Sequence, residues 1–168
     1  AAGKVYVNIE DLHVIKAIDT ATHAVTATWP IAPGESASGL AYDAANHRLF
    51  IGCENKLMLM IDSASGAVVY SVPIGDGVDA NAYDPGTRLA FASSGGSGTV
   101  TVAREESPGV LRVVQTLKTA RGARTMALDP STHTIYLAAT DYEPQAAGAR
   151  ERPKPVAGTF RVLVYQMK

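Results

Sequence analysis

Cysteine, charge and helical periodicity are scarce in this 168-residue sequence. The single cysteine, Cys53, excludes an internal disulfide and leaves a cysteine-based metal centre short of ligands. Because Cys53 adjoins an apolar run, we expect it to be a small packed hydrophobe. Charged residues make up 18% and the net charge is −1, so no overall field draws the chain to nucleic acid or to an anionic membrane.

Long apolar runs are missing as well. No stretch approaches the roughly 18 apolar residues of a membrane helix, so we expect no membrane insertion. The N-terminus, Ala1-Ala-Gly-Lys4, lacks the basic and apolar regions of a signal peptide. We therefore expect either a cytoplasmic chain or one whose leader has been removed.

A repeat of short apolar runs is what the sequence does contain. Asp43, Asp84 and Asp129 each follow such a run, and further runs rich in β-branched and aromatic residues recur behind each of them. The period is about 43 residues with four short strands per unit, which is typical of a propeller blade. The sequence predicts an all-β fold: an arc of about four β-propeller blades, each an antiparallel four-stranded sheet.

The first and last units are predicted to be incomplete. We expect three, four, four and three strands in one domain over residues 1–168, with an insertion at 141–158 in the last unit. Three prolines and many small or charged residues make that insertion an excursion from the blade. The predicted units span residues 1–33, 34–76, 77–120 and 121–168.

The repeats resemble those of the YVTN family of β-propeller proteins. The resemblance is carried by these segments: Val5–Asn8 with Val14–Thr20, Arg48–Cys53 with Met60–Asp62 and Ser65-Gly66, Val72–Asp79, Arg121–Pro130 and Val156–Tyr165. That family usually closes a seven-bladed ring, and this chain is similar to its C-terminal half. The resemblance implies a periplasmic or extracellular location and a binding or scaffold role without an assigned reaction.

An arc of blades raises the question of what covers its two ends. Each blade buries both faces against neighbours, so a four-unit arc leaves one apolar face bare at each end. Soluble monomers rarely expose an apolar patch beyond a few hundred Å², and open strand edges invite pairing. We therefore expect a homodimer, isologous about a two-fold axis, in which two arcs complete one eight-blade-like ring.

Polar residues recur just before the innermost strand of units two to four, where propellers hold ligands at the channel mouth. Arginines at these positions could bind an anion through forked hydrogen bonds, and carboxylates could hold a hard cation. Alternatively, the side chains pair with one another and with loop amides, which we favour. The candidate ligand-binding residues are Glu35, Ser38, Asp76, Asp79, Arg121 and Arg124.

Other chemistry-bearing residues give weaker signals. His23, His47 and His133 fall in turns, and His13 has no second ligand at zinc spacing. The glycine-rich stretch 93–98 lacks the lysine and the helix of a phosphate loop. The sequence therefore indicates no catalytic residue, no metal and no cofactor.

The main functional interpretation is a non-catalytic binding module. One alternative is single-stranded nucleic-acid binding by Arg121, Arg124 and the basic insertion, where Tyr142 could supply a stacking platform. The other is a lactonase- or hydrolase-like propeller with a metal held by Glu35, Asp76 and Asp79.

Overall fold

The computed structural model describes residues 3–107, 109–144 and 153–166, and the strands follow the predicted runs. Fourteen strands lie in the described residues, joined mostly by tight turns, with one short 3-10 turn at Glu10–Leu12. The strands are β1 Lys4–Ile9, β2 Val14–Asp19, β3 Val25–Pro30, β4 Ala37–Asp43, β5 Arg48–Cys53, β6 Leu57–Asp62, β7 Val68–Pro73, β8 Val78–Asp84, β9 Leu89–Ser94, β10 Thr99–Ser107, β11 Val110–Lys118, β12 Met126–Asp129, β13 Thr134–Ala139 and β14 Arg161–Gln166.

The strands form four antiparallel sheets in chain order. Sheet I contains β1–β3, sheet II β4–β7, sheet III β8–β11 and sheet IV β12–β14. Each sheet is a meander in which every strand pairs with the next one along the chain. The predicted count of three, four, four and three strands is confirmed, and β4 packs beside β8, which packs beside β12. The described part of the chain is therefore an arc of propeller blades.

Three apolar clusters fill the spaces between neighbouring sheets, and strand alternation explains why. In β6, Leu59 and Ile61 face sheet I, whereas Met58 and Met60 face sheet III. Successive side chains of a strand point to opposite faces, so a strand buried on both faces must be apolar throughout. Cys53 is fully buried in the cluster between sheets I and II, as the sequence predicts.

The two end sheets bury only one face each. In sheet I, Val5, Val7 and Val25 remain 36–51% exposed on the outward side. In sheet IV, Val162 and Val164 are 52% and 58% exposed. We call the first surface the N-terminal end face, and the second, together with Tyr136, the C-terminal end face.

The insertion leaves sheet IV between β13 and β14, as predicted. Its two ends pair with each other: the Glu143 amide donates to the Lys154 carbonyl oxygen at 2.9 Å, and the Val156 amide to that of Asp141 at 2.9 Å. An isolated bridge joins Tyr142 to Pro155. The middle of the insertion, residues 145–152 with Arg150 and Arg152, lies outside the described residues.

Candidate channel-mouth site

Hairpin geometry brings two sets of loops to the same end of the arc. β4 and β5 are antiparallel, with Ala37 opposite Cys53, so the residues before β4 lie beside those after β5. The same relation holds in sheet III, where Val78 lies opposite Ser94. The mouth therefore consists of the loops that enter each first strand and the loops that leave each second strand.

Three of the predicted residues take part in contacts between units. The Ser38 hydroxyl donates to the Val78 carbonyl oxygen at 3.3 Å, which joins sheets II and III. The Arg124 Nε lies 4.0 Å from Asp79 Oδ2, which joins sheets III and IV. This pair is about half exposed, and such pairs contribute at most about 1 kcal/mol. Ser38, Asp79 and Arg124 therefore pair within the protein, as the interpretation that we favour from the sequence expects.

The other three predicted residues are less engaged. Asp76 Oδ1 is 3.7 Å from Lys56 Nζ, and both side chains are about 60% exposed. Glu35 is exposed. Its backbone amide donates a hydrogen bond to Asn55 Oδ1 at 3.1 Å, and this bond does not involve its carboxylate. Arg121 is exposed and makes no ion pair within the described ranges. The structure brings Arg121 and Arg124 into one groove and leaves the Glu35 carboxylate apart from them.

Sequence reasoning missed Glu54, which belongs to the same surface. Glu54 directly follows β5 and is exposed, yet partial desolvation by its neighbours raises the pKa of its carboxyl. The negative charges of Glu10, Asp76 and Asp79 raise this pKa further. Glu10 likewise follows β1, which takes the place of the second strand in the incomplete first unit. Hairpin pairing was the signal that would have found both residues.

A groove of about 900 Å³ opens between units three and four at this mouth. Arg121, Arg124 and Tyr142 line it together with four glycines, Gly77, Gly95, Gly96 and Gly122. Gly122 has φ +79°, and a Cβ there would lie 2.6 Å from the Tyr142 ring. The Gly122 amide donates to the Gly95 carbonyl oxygen at 2.8 Å, so this close contact between loops requires glycine.

A buried hydrogen bond holds the backbone of Arg124 in place. The Ser93 hydroxyl, which is fully buried, donates to the Arg124 carbonyl oxygen. The Arg124 side chain rises from this anchored backbone and is 54% exposed. The groove therefore presents an exposed charged group on an anchored main chain, as binding surfaces on rigid scaffolds do.

Two histidines are more engaged than the sequence predicts. His133 Nδ1 lies 2.7 Å from Asp84 Oδ2, and Asp84 is only 1% exposed. His133 is thus a turn residue, with its side chain 41% exposed, that also bridges units three and four. The Ser36 amide donates to His13 Nδ1 at 2.8 Å. Among the described residues, no three His, Cys, Asp or Glu side chains are arranged to hold a metal ion.

Comparison by sequence finds no matching family model and no matching curated protein. The fold is similar to that of Kuenenia stuttgartiensis hydrazine synthase, with a TM-score of 0.74 and 14% identity over 96% of this chain and 46% of that one. It is also similar to a chain of the mitotic checkpoint complex, with a TM-score of 0.70 and 17% identity over 82% and 43%. The Saccharomyces cerevisiae protein Sqt1 gives 0.66 and 15% over 81% and 38%.

The chain spans less than half the length of each of these structures. At such identities the likeness defines the fold, and the fold is a β-propeller or WD40-type arc. No helix of the described residues is long and apolar enough to cross a membrane.

Proposed function

We propose that the chain is a non-catalytic binding module of the YVTN type, located in the periplasm or outside the cell, which assembles as a homodimer. The apolar surface at both ends of the arc carries the proposal. Every space between two sheets in the described residues is filled by a buried cluster, whereas Val5, Val25, Val162 and Val164 remain about half exposed.

The two end faces have the chemistry of an interior blade contact. The C-terminal end face consists of Tyr136, Val162 and Val164, and the N-terminal end face consists of valines around Lys16, which lies opposite Val7. Burying the rest of each half-exposed valine would contribute about 1 kcal/mol, and several such residues lie on each face. Two arcs related by a two-fold axis would bring each N-terminal end face against a C-terminal one.

Sedimentation velocity or light scattering at micromolar concentration tests the assembly. We expect twice the 17.6 kDa of one chain. Val164→Asp should shift the mass to that of the monomer, because it places a charge at the centre of the C-terminal end face. Val114→Asp is the matched control: Val114 is 43% exposed on β11 and belongs to neither end face. A monomeric wild-type chain would contradict the dimer.

The comparisons leave the YVTN family and the exported location open, and both rest on the resemblance. Fractionation of the cells that produce the protein tests the location. Recovery of the protein in the cytosolic fraction would exclude the exported location.

A further inference from the structure

The channel mouth is divided by charge. Its acidic part comes from units one to three: hairpin pairing brings the end of β5 and the start of β8 to this end of the arc, and the charges of Glu10, Asp76 and Asp79 all act on Glu54. One lysine, Lys56, lies within this part, 3.7 Å from Asp76 Oδ1. Its basic part comes from unit four, where Arg121 and Arg124 line the groove. The two parts meet at the Arg124–Asp79 pair. A ligand that spans the mouth therefore encounters positive charge at one end and negative charge at the other.

The groove between units three and four holds two arginines, Arg121 and Arg124, beside two acidic residues, Asp141 and Glu143, so it suits one acidic group beside an apolar or planar one. Arg121 can offer a forked pair of donors to a carboxylate. Tyr142 rests on Gly122 and is 41% exposed, so part of its ring is open for stacking. Glu143 and Pro144 lie at the rim of the same groove.

The same charges disfavour a polyanion. Asp141, although it pairs with Arg161 at 2.9 Å, lines the groove with Glu143. A nucleic-acid strand leaving the groove toward unit three would carry its phosphates against Asp76 and Asp79. Single-strand binding needs a continuous basic path, and the described residues of the mouth do not provide one.

We infer that the mouth binds a dipolar peptide segment. An acidic side chain of the peptide occupies the groove at Arg121 and Arg124, and a basic side chain a few residues away lies against Glu54 and Asp76. Tyr142 contacts the peptide beside its acidic group. The inference rests on the proposed role as a binding module but does not depend on dimerisation.

Fluorescence anisotropy with short synthetic peptides tests the charge pattern. Three labelled peptides on a common glycine–serine–tyrosine background carry only glutamates, only lysines, or one glutamate and one lysine. We expect the dipolar peptide to bind at least about tenfold more tightly than either of the others, because only it is complementary to both parts of the mouth. A thymidine oligonucleotide is the fourth probe.

Two double variants test which part of the mouth binds each charged end of the peptide. Arg121→Gln with Arg124→Gln should lower the affinity for the dipolar peptide to that of the lysine peptide. Glu54→Gln with Asp76→Asn should lower it to that of the glutamate peptide. Arg112→Gln is the control, because Arg112 lies on β11 and pairs with Glu106 away from the mouth. Circular dichroism verifies that each variant is folded.

Several outcomes would overturn the inference. These are no binding of the dipolar peptide, equal binding of the glutamate peptide, or tighter binding of the oligonucleotide with an affinity that falls steeply with salt. Solution mass measured on the same samples separates this failure from that of the assembly. A dimer that binds no peptide contradicts the inference alone, and a monomer that binds the dipolar peptide contradicts only the dimer.

Discussion

At the scale of single residues, one aspartate per turn organises the repeat. Asp62 Oδ1 accepts hydrogen bonds from the amides of Ala64 and Ser65 at 3.1 and 2.9 Å. Asp19 does the same for Ala21 and Thr22 at 3.0 and 2.8 Å. Such side chains replace a backbone acceptor in a tight turn. The aspartates that reveal the period in the sequence do the same: Asp43, Asp84 and Asp129 accept hydrogen bonds from the amides two residues later at 3.0, 3.0 and 2.9 Å.

These aspartates predict a loss of stability in acid. A backbone hydrogen bond from Ser65 lowers the pKa of Asp62, one from Thr22 lowers that of Asp19, and the Ser131 hydroxyl lowers that of Asp129. A folded pKa below the unfolded value gives stability that is present above the unfolded pKa and is lost as pH falls through the folded one.

Urea titration between about pH 5 and pH 2 should show a falling unfolding free energy. Asp62→Asn should flatten part of this fall. An unchanged slope in the variant would contradict the assignment.

The pKa of Glu54 is shifted in the opposite direction, upward. This pKa is raised by partial desolvation and then by Glu10, Asp76 and Asp79, so the contribution of Glu54 is favourable below the unfolded pKa and is lost as pH rises through the folded pKa. At neutral pH the charged carboxylate therefore opposes folding.

Glu54→Gln should raise stability at pH 7 by about 0.5 kcal/mol at low salt, and less at high salt. Denaturation of Glu106→Gln, which alters a carboxylate paired with Arg112, provides the control. A loss of stability in Glu54→Gln at pH 7 would refute this account.

At the scale of elements, the hairpin turns limit which residues can follow a strand. Gly66, between β6 and β7, has φ +76°, and a Cβ there would overlap the Trp29 indole of sheet I. Gly158 has nearly the same φ, +77°, but nothing lies within 4 Å of its Cβ position. The two positions therefore separate the cost of backbone conformation from the cost of packing between units.

Gly66→Ala should lower the unfolding free energy by about 3 kcal/mol, and Gly158→Ala by about 1 kcal/mol. Chemical denaturation followed by Trp29 fluorescence measures both, since Trp29 is the only tryptophan. Equal losses in the two variants would show that the indole moves aside at no cost.

The strands could be predicted from the sequence because each is a short apolar run bounded by turn residues. The continuous run Leu57–Ile61 also indicated burial on both faces, and β6 has it. The mouth was only partly predictable. Tyr142 was expected beside Arg121 and Arg124, whereas Glu54 was missed, because the place of a residue that follows a second strand depends on hairpin register. The bridge from His133 to Asp84 joins residues 49 positions apart, and no local pattern encodes it.

At the scale of the whole molecule, the described residues form a one-dimensional stack in which each apolar cluster joins two neighbouring sheets. Stability in such a stack is approximately a sum of unit terms and interface terms. Sheets II and III have two covered faces, whereas sheets I and IV have one. In a single copy the end sheets should therefore open more readily than the middle ones.

Hydrogen exchange at two protein concentrations measures this gradient. Amides of β5, β6, β9 and β10 should exchange slowest at both concentrations, because both faces of these strands are buried within one chain. Amides of β2 and β13 should exchange faster in dilute solution and slow down as concentration rises, because a second copy then covers the end faces and adds the missing interface terms. Val164→Asp should remove the concentration dependence of β13 without changing β9. Exchange at the ends that is as slow as in the middle, and independent of concentration, would mean that the end faces need no partner to be stable.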